Sequence, residues 1–194
     1  MSIKSFSDYV VESSKEVTFT FGRYNPPTIG HEILFNKLKA VARAGNYRVY
    51  ASQSEDAKKN PLTYKDKIKF LRKMFPKHAR NIIQDAKVRS VFDVLVAMYD
   101  EGFKRVNLVV GSDRVKEFDI LLNKYNGIKG RHGFYKLSLN IVSAGERDPD
   151  SDGADGMSAS KMRLAAQQND LKSFSSGLPN NFKGTEDLFN AVRT

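Results

Sequence analysis

A glycine- and proline-rich stretch, GRYNPPTIGH, runs from Gly22 to His31 and contains side chains that can bind an anion. It follows an alternating strand pattern at residues 17–21 and precedes a helical pattern at residues 32–38. The start of a helix offers backbone N–H groups and the positive end of the helix dipole, so this turn can bind phosphate. Thr28 and His31 add a hydroxyl and an imidazole that can point at the same anion. The stretch therefore predicts a phosphate-binding corner.

Five other residues of the stretch are candidate nucleotide-binding residues, namely Gly22, Arg23, Tyr24, Asn25 and Gly30. Gly22 ends the predicted strand, where the absence of a Cβ lets a phosphate or another backbone segment come close. Gly30 is expected to allow close packing beside a nucleotide at the helix start. Arg23 supplies a cation that can touch an anion bound at this turn.

A second candidate anion site lies far along the chain, in residues 156–163 (GMSASKMR). Ser158 or Ser160 can cap a helix start there, and Arg163 then lies within one turn. A hydroxyl, a guanidinium and the N–H groups of a helix start can all bind one anion. Alone, the same pattern is typical of a capped helix with a surface arginine, so its function depends on where the fold places it.

Strand and helix patterns alternate from residue 17 onward. The strand patterns cover residues 17–22, 47–52, 81–84, 105–111 and 137–143. The helix patterns cover residues 30–44, 63–75, 90–101, 113–125 and 158–169, with a short one near 185–193. This alternation predicts an α/β fold with a Rossmann-like, doubly wound parallel sheet of about five strands. We expect one domain at residues 17–194, preceded by an N-terminal appendage at residues 1–16.

Ligands of such sheets bind beyond the carboxyl ends of the strands. Four segments follow predicted strands and are expected to converge at that edge: Gly22–His31, Ser52–Asn60, Gly111–Asp113 and Gly145–Ser160. Gly111 and Asp113 are therefore further candidate nucleotide-binding residues. In the second segment, Lys58 or Lys59 can place a cation beside a phosphate. These two lysines begin a basic run that continues to Lys77, part of which a solvated helix face explains.

The formal net charge of +10 favours an anionic partner, either a nucleoside triphosphate or a nucleic acid. Direct nucleic-acid binding is the lesser alternative because no helix-turn-helix, RNP or zinc motif accompanies the charge. The absence of cysteine excludes disulfides, zinc–thiolate sites and thiol nucleophiles. No apolar run approaches the ~20 residues of a membrane helix, and the start lacks a secretory signal. We therefore expect a cytoplasmic protein with no membrane partner.

The segment Thr28-Ile29-Gly30-His31 resembles the (T/H)xGH motif of the nucleotidylyltransferase superfamily, whose fold is cytidylyltransferase-like. Residues 157–163 are similar to its second motif, ISSTxxR. In that motif Met157 replaces Ile, Ala159 replaces the second Ser and Ser160 replaces Thr. The resemblance covers most of residues 17–182.

Different branches of the superfamily resemble different segments. Gly22-Arg23-Tyr24-Asn25-Pro26 is similar to the GRFxP form of nicotinamide-mononucleotide adenylyltransferases, and Gly111-Ser112-Asp113 to a Gly-x-Asp segment of the same enzymes. Thr28 and the segment Lys58–Thr63 instead resemble phosphopantetheine adenylyltransferases. The resemblance consequently leaves the acceptor open.

The resemblance implies transfer of an adenylyl group from ATP to a phosphate-bearing acceptor, with release of pyrophosphate. It implies that His31 and Thr28 bind the α- and β-phosphates, while Arg163 and Ser160 bind the β- and γ-phosphates. Lys58 or Lys59 is then the cation beside the transferring phosphate or the acceptor. Mg²⁺ is expected to be held mainly by phosphate oxygens rather than by protein ligands. An oligomer is compatible with the resemblance.

Several alternatives remain open at this point. The protein could be a cytidylyltransferase that uses CTP, or a catalytically silent nucleotide-binding or scaffold protein of the same fold. The segment Asp148–Gly156 matches part of a calcium loop, but Ala159 stands where the loop requires Glu, so we interpret it as an acidic loop able to close over nucleotide. His78 and His132 have no second metal ligand at a suitable spacing and are predicted to be surface histidines.

Overall fold

The computed structural model describes residues 15–145 and 157–193. Within these residues the strands are β1 (Glu16–Gly22), β2 (Asn46–Ala51), β3 (Ile82–Ile83), β4 (Arg105–Val110) and β5 (Ser138–Ser143). The α-helices are α1 (Gly30–Ala42), α2 (Tyr64–Met74), α3 (Val91–Asp100), α4 (Val115–Tyr125), α5 (Ala159–Gln167), α6 (Leu171–Ser175) and α7 (Thr185–Arg193). Short 3-10 helices span Pro76–Asn81 and Ser112–Arg114.

The five strands form one parallel sheet in the order β3-β2-β1-β4-β5. The chain builds the sheet outward from β1 through β2 to β3, and then crosses to β4 and β5 on the other side. The strand order therefore reverses between β1 and β4, which is where doubly wound sheets bind ligands. The predicted Rossmann-like α/β fold in a single domain is confirmed.

Hydrophobic side chains cover both faces of the sheet, as expected for parallel strands rich in Val and aromatic residues. Along β4, Leu108 packs with one cluster and Val109 with the other. Helices α1, α2, α5, α6 and α7 contribute buried residues to the cluster that contains Val109, and α3 and α4 contribute to the other. Phe35 of α1 is fully buried in the cluster that contains Val109, next to the predicted phosphate-binding corner.

The starts of α2, α3 and α5 carry side-chain caps. The Thr63 hydroxyl accepts a hydrogen bond from the Asp66 N–H at the start of α2, and Ser158 caps α5 in the same way. Ser90 and Asp93 form a complete capping box at the start of α3. Capping therefore fixes where these helices begin, and with it the position of α5 at the site.

Parts of the prediction lie outside the described residues: residues 1–14 of the appendage and the acidic segment Asp148–Gly156. The predicted helix at 113–125 begins as the 3-10 turn Ser112–Arg114 before α4. Among the described helices, none is both long and apolar enough to cross a membrane.

Candidate phosphate-binding site at the carboxyl edge of the sheet

The loops after the strands converge at the carboxyl edge of the sheet, as predicted. The Ser52 N–H donates to the Gly22 carbonyl at 2.8 Å, which joins the ends of β1 and β2. The Ser112 N–H donates to the Gly145 carbonyl at 3.3 Å, which joins the segments that follow β4 and β5. The candidate residues therefore lie along one edge of the sheet, on both sides of the strand-order reversal.

His31 lies in the first turn of α1, with its ring held in a fixed orientation. Its Nδ1 accepts a hydrogen bond from the Thr28 N–H at 2.9 Å, and the Thr28 hydroxyl lies 3.1 Å from the same atom. A ring nitrogen that accepts from a backbone N–H carries no proton, so the neutral ring carries its proton on Nε2. His31 is only 7% exposed, and its Nε2–H group is the donor that it can offer to a phosphate oxygen.

Tyr24 packs against the same imidazole. Its ring meets the His31 ring edge-on, with the centroids 4.8 Å apart, and also contacts Phe35. Tyr24 has a φ of 45°, a conformation that few bulky residues adopt. A Cβ on Gly22 would lie 2.7 Å from the Tyr24 ring, so the absence of a side chain at Gly22 makes room for this ring. Tyr24 is buried and supports the histidine rather than facing solvent.

Asn25 ties the corner to the loop before α2. Its side-chain Oδ1 accepts a hydrogen bond from the Leu62 N–H at 3.0 Å. The side chain is 2% exposed, so its amide supports the backbone of the corner. The Ile29 N–H donates to the Gly177 carbonyl at 2.8 Å, which anchors the corner to the segment after α6. The corner is thus held from two directions by elements distant in sequence.

Arg163 joins the two predicted anion sites. Its Nη1 donates to the Asn25 carbonyl at 2.7 Å, and its Nη2 donates to the Ser160 hydroxyl at 3.0 Å. Ser158 caps the helix that carries both side chains. The contact between Arg163 and Asn25 spans 138 residues of sequence, so the fold brings the two motifs together.

The corner carries positive charge. Burial lowers the pKa of Arg163, and the nearby guanidinium of Arg23 lowers it further, while Asp56 opposes this effect. Arg163 donates to the corner at Asn25, and Arg23, an exposed residue of the corner, lies near enough to affect its charge. Like charges held close together repel each other, and a bound polyanion would offset that repulsion.

The loop after β2 presents Lys58 and Lys59 on a tight turn. The Asp56 carboxylate accepts hydrogen bonds from the N–H groups of Lys58 at 3.0 Å and Lys59 at 2.6 Å, and from the Asn60 side-chain amide. These bonds lower the pKa of Asp56 to about 2, with the bond from Lys59 contributing most. Both lysine side chains are exposed.

Two buried polar atoms in this loop have no hydrogen-bond partner among the residues that the structure describes. They are the Ser52 hydroxyl oxygen and the Asn60 Oδ1. Buried polar atoms normally have hydrogen-bond partners, and an exception needs an explanation such as a bound water molecule, an ion or local strain. Neither residue was a specific candidate from the sequence, because the lack of a partner is visible only in three dimensions.

Lys67 is a further residue that the sequence did not single out. Its Nζ donates to the carbonyls of Ser52 and Ser54, each at 2.8 Å, although the run of lysines around it predicts a solvated face. The sequence feature that could have indicated its burial is its position. Lys67 precedes Phe70 and Leu71 by three and four residues, so it lies on the buried side of α2.

The remaining candidates lie on the β4 side of the edge. Gly111 precedes the 3-10 turn Ser112–Arg114, and the Asp113 carboxylate lies against Gly111. The hydrogen bonds of this segment run to Gly145 rather than to the His31 corner. Gly111 and Asp113 therefore share the edge with the two joined motifs without being part of their hydrogen-bond network.

The predicted surface position is wrong for His78, and His132 is only partly exposed. His78 is 3% exposed, with Nδ1 3.0 Å from the Tyr47 hydroxyl and Nε2 3.2 Å from the Asn36 side-chain oxygen. His132 is half-buried and stacks on the Phe92 ring with the centroids 4.0 Å apart. Their aromatic and polar partners come from other elements, so sequence spacing did not show them. Within residues 15–145 and 157–193, no three His, Asp or Glu side chains are placed to hold a metal ion.

The arrangement combines an oriented imidazole, a helix start, two guanidinium groups and two exposed lysines at one edge of the sheet. These groups are donors and cations, the chemistry that binds phosphate oxygens in proteins. No protein-family model matches the chain, and no curated protein matches its sequence.

Proposed function

We propose that the protein is a nucleotidylyltransferase that transfers an adenylyl group from ATP to a small phosphate-bearing acceptor. The contact between Arg163 and the Asn25 carbonyl is the observation that carries the proposal. It brings the capped start of α5 against the corner that holds His31, so one triphosphate can span both. The resemblance of the two segments to the superfamily motifs supports the same reaction class.

In the proposed reaction, a phosphate oxygen of the acceptor attacks the α-phosphorus of ATP. The bond from that phosphorus to the α,β-bridging oxygen breaks, and pyrophosphate leaves. The acceptor is already an anionic nucleophile, so catalysis requires positioning and charge stabilisation rather than a protein nucleophile. Mg²⁺ enters with the nucleotide, bound by its phosphate oxygens.

Each side chain has a role in this reaction. The Nε2–H of His31 and the Thr28 hydroxyl stabilise the charge that develops on the α- and β-phosphates. Arg163 holds the β- and γ-phosphates. Lys58 or Lys59 neutralises the acceptor phosphate as it approaches. The acceptors that we propose are nicotinamide mononucleotide or a phosphopantetheine-type molecule.

The test is pyrophosphate release from ATP and Mg²⁺ with a panel of phosphorylated acceptors. We expect His31→Ala to lower turnover by about 100-fold or more, because the variant loses a donor to the charge of the transition state. His132→Ala is the matched control, since His132 stacks on Phe92 on the other face of the sheet. Unchanged turnover in His31→Ala would remove the imidazole from the mechanism.

The same assay tests the alternatives. Product from CTP but not from ATP would make the protein a cytidylyltransferase. Calorimetry that shows nucleotide binding, with no pyrophosphate from any acceptor, would instead identify a silent nucleotide-binding protein. Detection of the condensed product by mass identifies the acceptor.

A further inference from the structure

Lys67 is a fully buried lysine on a helix whose neighbouring lysines face solvent. Its side chain is 0% exposed, whereas Lys65 and Lys69 are exposed. Burial of an ammonium is unfavourable unless hydrogen bonds compensate for the lost hydration. Here the ammonium donates two charge-assisted bonds, to the carbonyls of Ser52 and Ser54. A methionine could fill the same space without the unfavourable burial of a charge, so the ammonium has a role beyond packing.

Both carbonyls belong to the segment that leaves β2. Ser52 is also bonded through its N–H to the Gly22 carbonyl, at the start of the phosphate-binding corner. Ser54 lies beyond the last paired residue of β2, where the backbone has left the sheet. Lys67 thus bonds the loop at the point where strand pairing no longer constrains it.

The turn that displays the two exposed lysines follows directly. Asp56 and Asn60 close it with two backbone hydrogen bonds, at 3.0 Å and 3.1 Å. These bonds close the turn on itself, so its orientation depends on its attachments. After the turn, the Leu62 N–H donates to the Asn25 side chain. Before the turn, the chain is attached to β2. The Lys67 ammonium is part of that attachment.

We propose that Lys67 is a positioning residue that holds the Ser52–Asn60 loop, and with it the Lys58 and Lys59 ammonium groups, toward the His31 corner. The inference rests on the proposed function, and it adds the residue that orients the two lysines expected to contact the acceptor. Lys67 is completely buried, so it acts through the loop and not by touching a substrate. Burial lowers its pKa to about 8, while the nearby Glu55 and Asp56 carboxylates oppose that shift.

The test compares Lys67→Met with the matched control Lys65→Met, an exposed lysine of the same helix. In Lys67→Met we expect kcat/KM for the acceptor to fall by about 10-fold, with the ATP KM changed by less than about twofold. Lys65→Met should leave both values unchanged. If the kinetic constants for ATP and for the acceptor changed by the same factor, the variant would have a general loss of structure, and the proposal would be overturned.

A double-mutant cycle separates positioning from stability. In a chain that already carries Lys58→Ala and Lys59→Ala, Lys67→Met should lower kcat/KM by less than about twofold, because the groups it orients are gone. If Lys67→Met lowered kcat/KM by the same factor with and without the Lys58→Ala and Lys59→Ala substitutions, the proposal would be overturned. If Lys67→Met does not fold, Lys67→Gln replaces it, and failure of both to fold would make Lys67 a core residue only.

Amide hydrogen exchange gives a readout that does not need activity. The Ser52 N–H, which bonds to the Gly22 carbonyl where the loop leaves β2, should exchange faster in Lys67→Met than in the wild-type protein, while the N–H groups of α3 stay unchanged. Faster exchange in a protein that forms no product would retain the role of Lys67 and refute the proposed function. Unchanged exchange in the loop would overturn the role of Lys67 whatever the activity.

Discussion

At the scale of single residues, His31 and His78 are both buried, but their neighbours give them different chemistry. The His31 ring accepts from the Thr28 N–H, three residues away, whereas the sequence predicted only that the two side chains can point at one anion. His78 lies between the Tyr47 hydroxyl and the Asn36 amide oxygen, from two other elements. Residue types and local spacing therefore predicted the place of His31 at the start of a helix, but they failed to predict the burial of His78.

The pH dependence of stability should report on His78. Burial, together with the nearby Lys39 and Lys77, lowers the pKa of His78 from its ordinary 6.5. As pH falls below about 6.5, the unfolded chain takes up the proton before the native protein does, so the free energy of unfolding falls. We expect urea unfolding to show lower stability at pH 5.5 than at pH 7.5, with a smaller difference in His78→Gln. His132→Gln is the control. If His78→Gln kept the full difference in stability between pH 5.5 and pH 7.5, protonation of His78 would not be its cause.

The two glycines of the corner should respond differently to alanine. In Gly22→Ala the new methyl would lie 2.7 Å from the Tyr24 ring, so we expect a loss of about 1–3 kcal/mol in stability and weaker nucleotide binding. In Gly30→Ala the methyl would lie 3.6 Å from the Thr28 hydroxyl, an ordinary contact that the fold accommodates.

Gly30→Ala should accordingly keep its stability and still bind nucleotide more weakly, because we predict that Gly30 lies beside the bound nucleotide. Thermal unfolding and calorimetry on both variants measure the two effects separately. Full nucleotide affinity in Gly30→Ala would show that the ligand does not approach this position.

At the scale of elements, every strand and most helices follow the sequence patterns to within one or two residues at most of their ends. The alternating residues of β1 and the consecutive apolar residues at the end of β4 indicated these strands. The 3-10 helix Pro76–Asn81 and α6, Leu171–Ser175, were missed, since a segment of one or two turns has too few residues to show a helical period. Lys67 was not singled out because its carbonyl partners lie in a loop of irregular backbone.

Two helix caps provide a matched comparison. Ser158→Ala and Ser90→Ala each remove a hydroxyl that accepts from a helix N–H, so each should lower stability by about 1 kcal/mol. Only α5 carries Arg163, so only Ser158→Ala should also lower nucleotide affinity. Thermal unfolding measures the stability of each variant, and calorimetry on the folded variants measures their nucleotide affinity. Equal nucleotide affinity in the two variants would place the start of α5 away from the ligand.

At the scale of the whole molecule, parallel strands place all their carboxyl ends at one edge, and the order of strands decides which loops meet. The alternation of patterns predicts that edge, so the meeting of the Gly22–His31 and Ser158–Arg163 segments was foreseeable. The particular pairs were not, because the bonds from Ile29 to Gly177 and from Arg163 to Asn25 depend on how the last helices pack. The sequence thus predicts which segments meet, and the packing of side chains decides which atoms touch.

The bond between Arg163 and the Asn25 carbonyl also joins two segments that the ribosome synthesises at different times. The nascent chain carries Asn25 long before Arg163 is added, since 138 residues separate them. Under the proposed function, a chain interrupted before residue 163 would lack the guanidinium that holds the β- and γ-phosphates. Such a chain would contact a triphosphate from one side only.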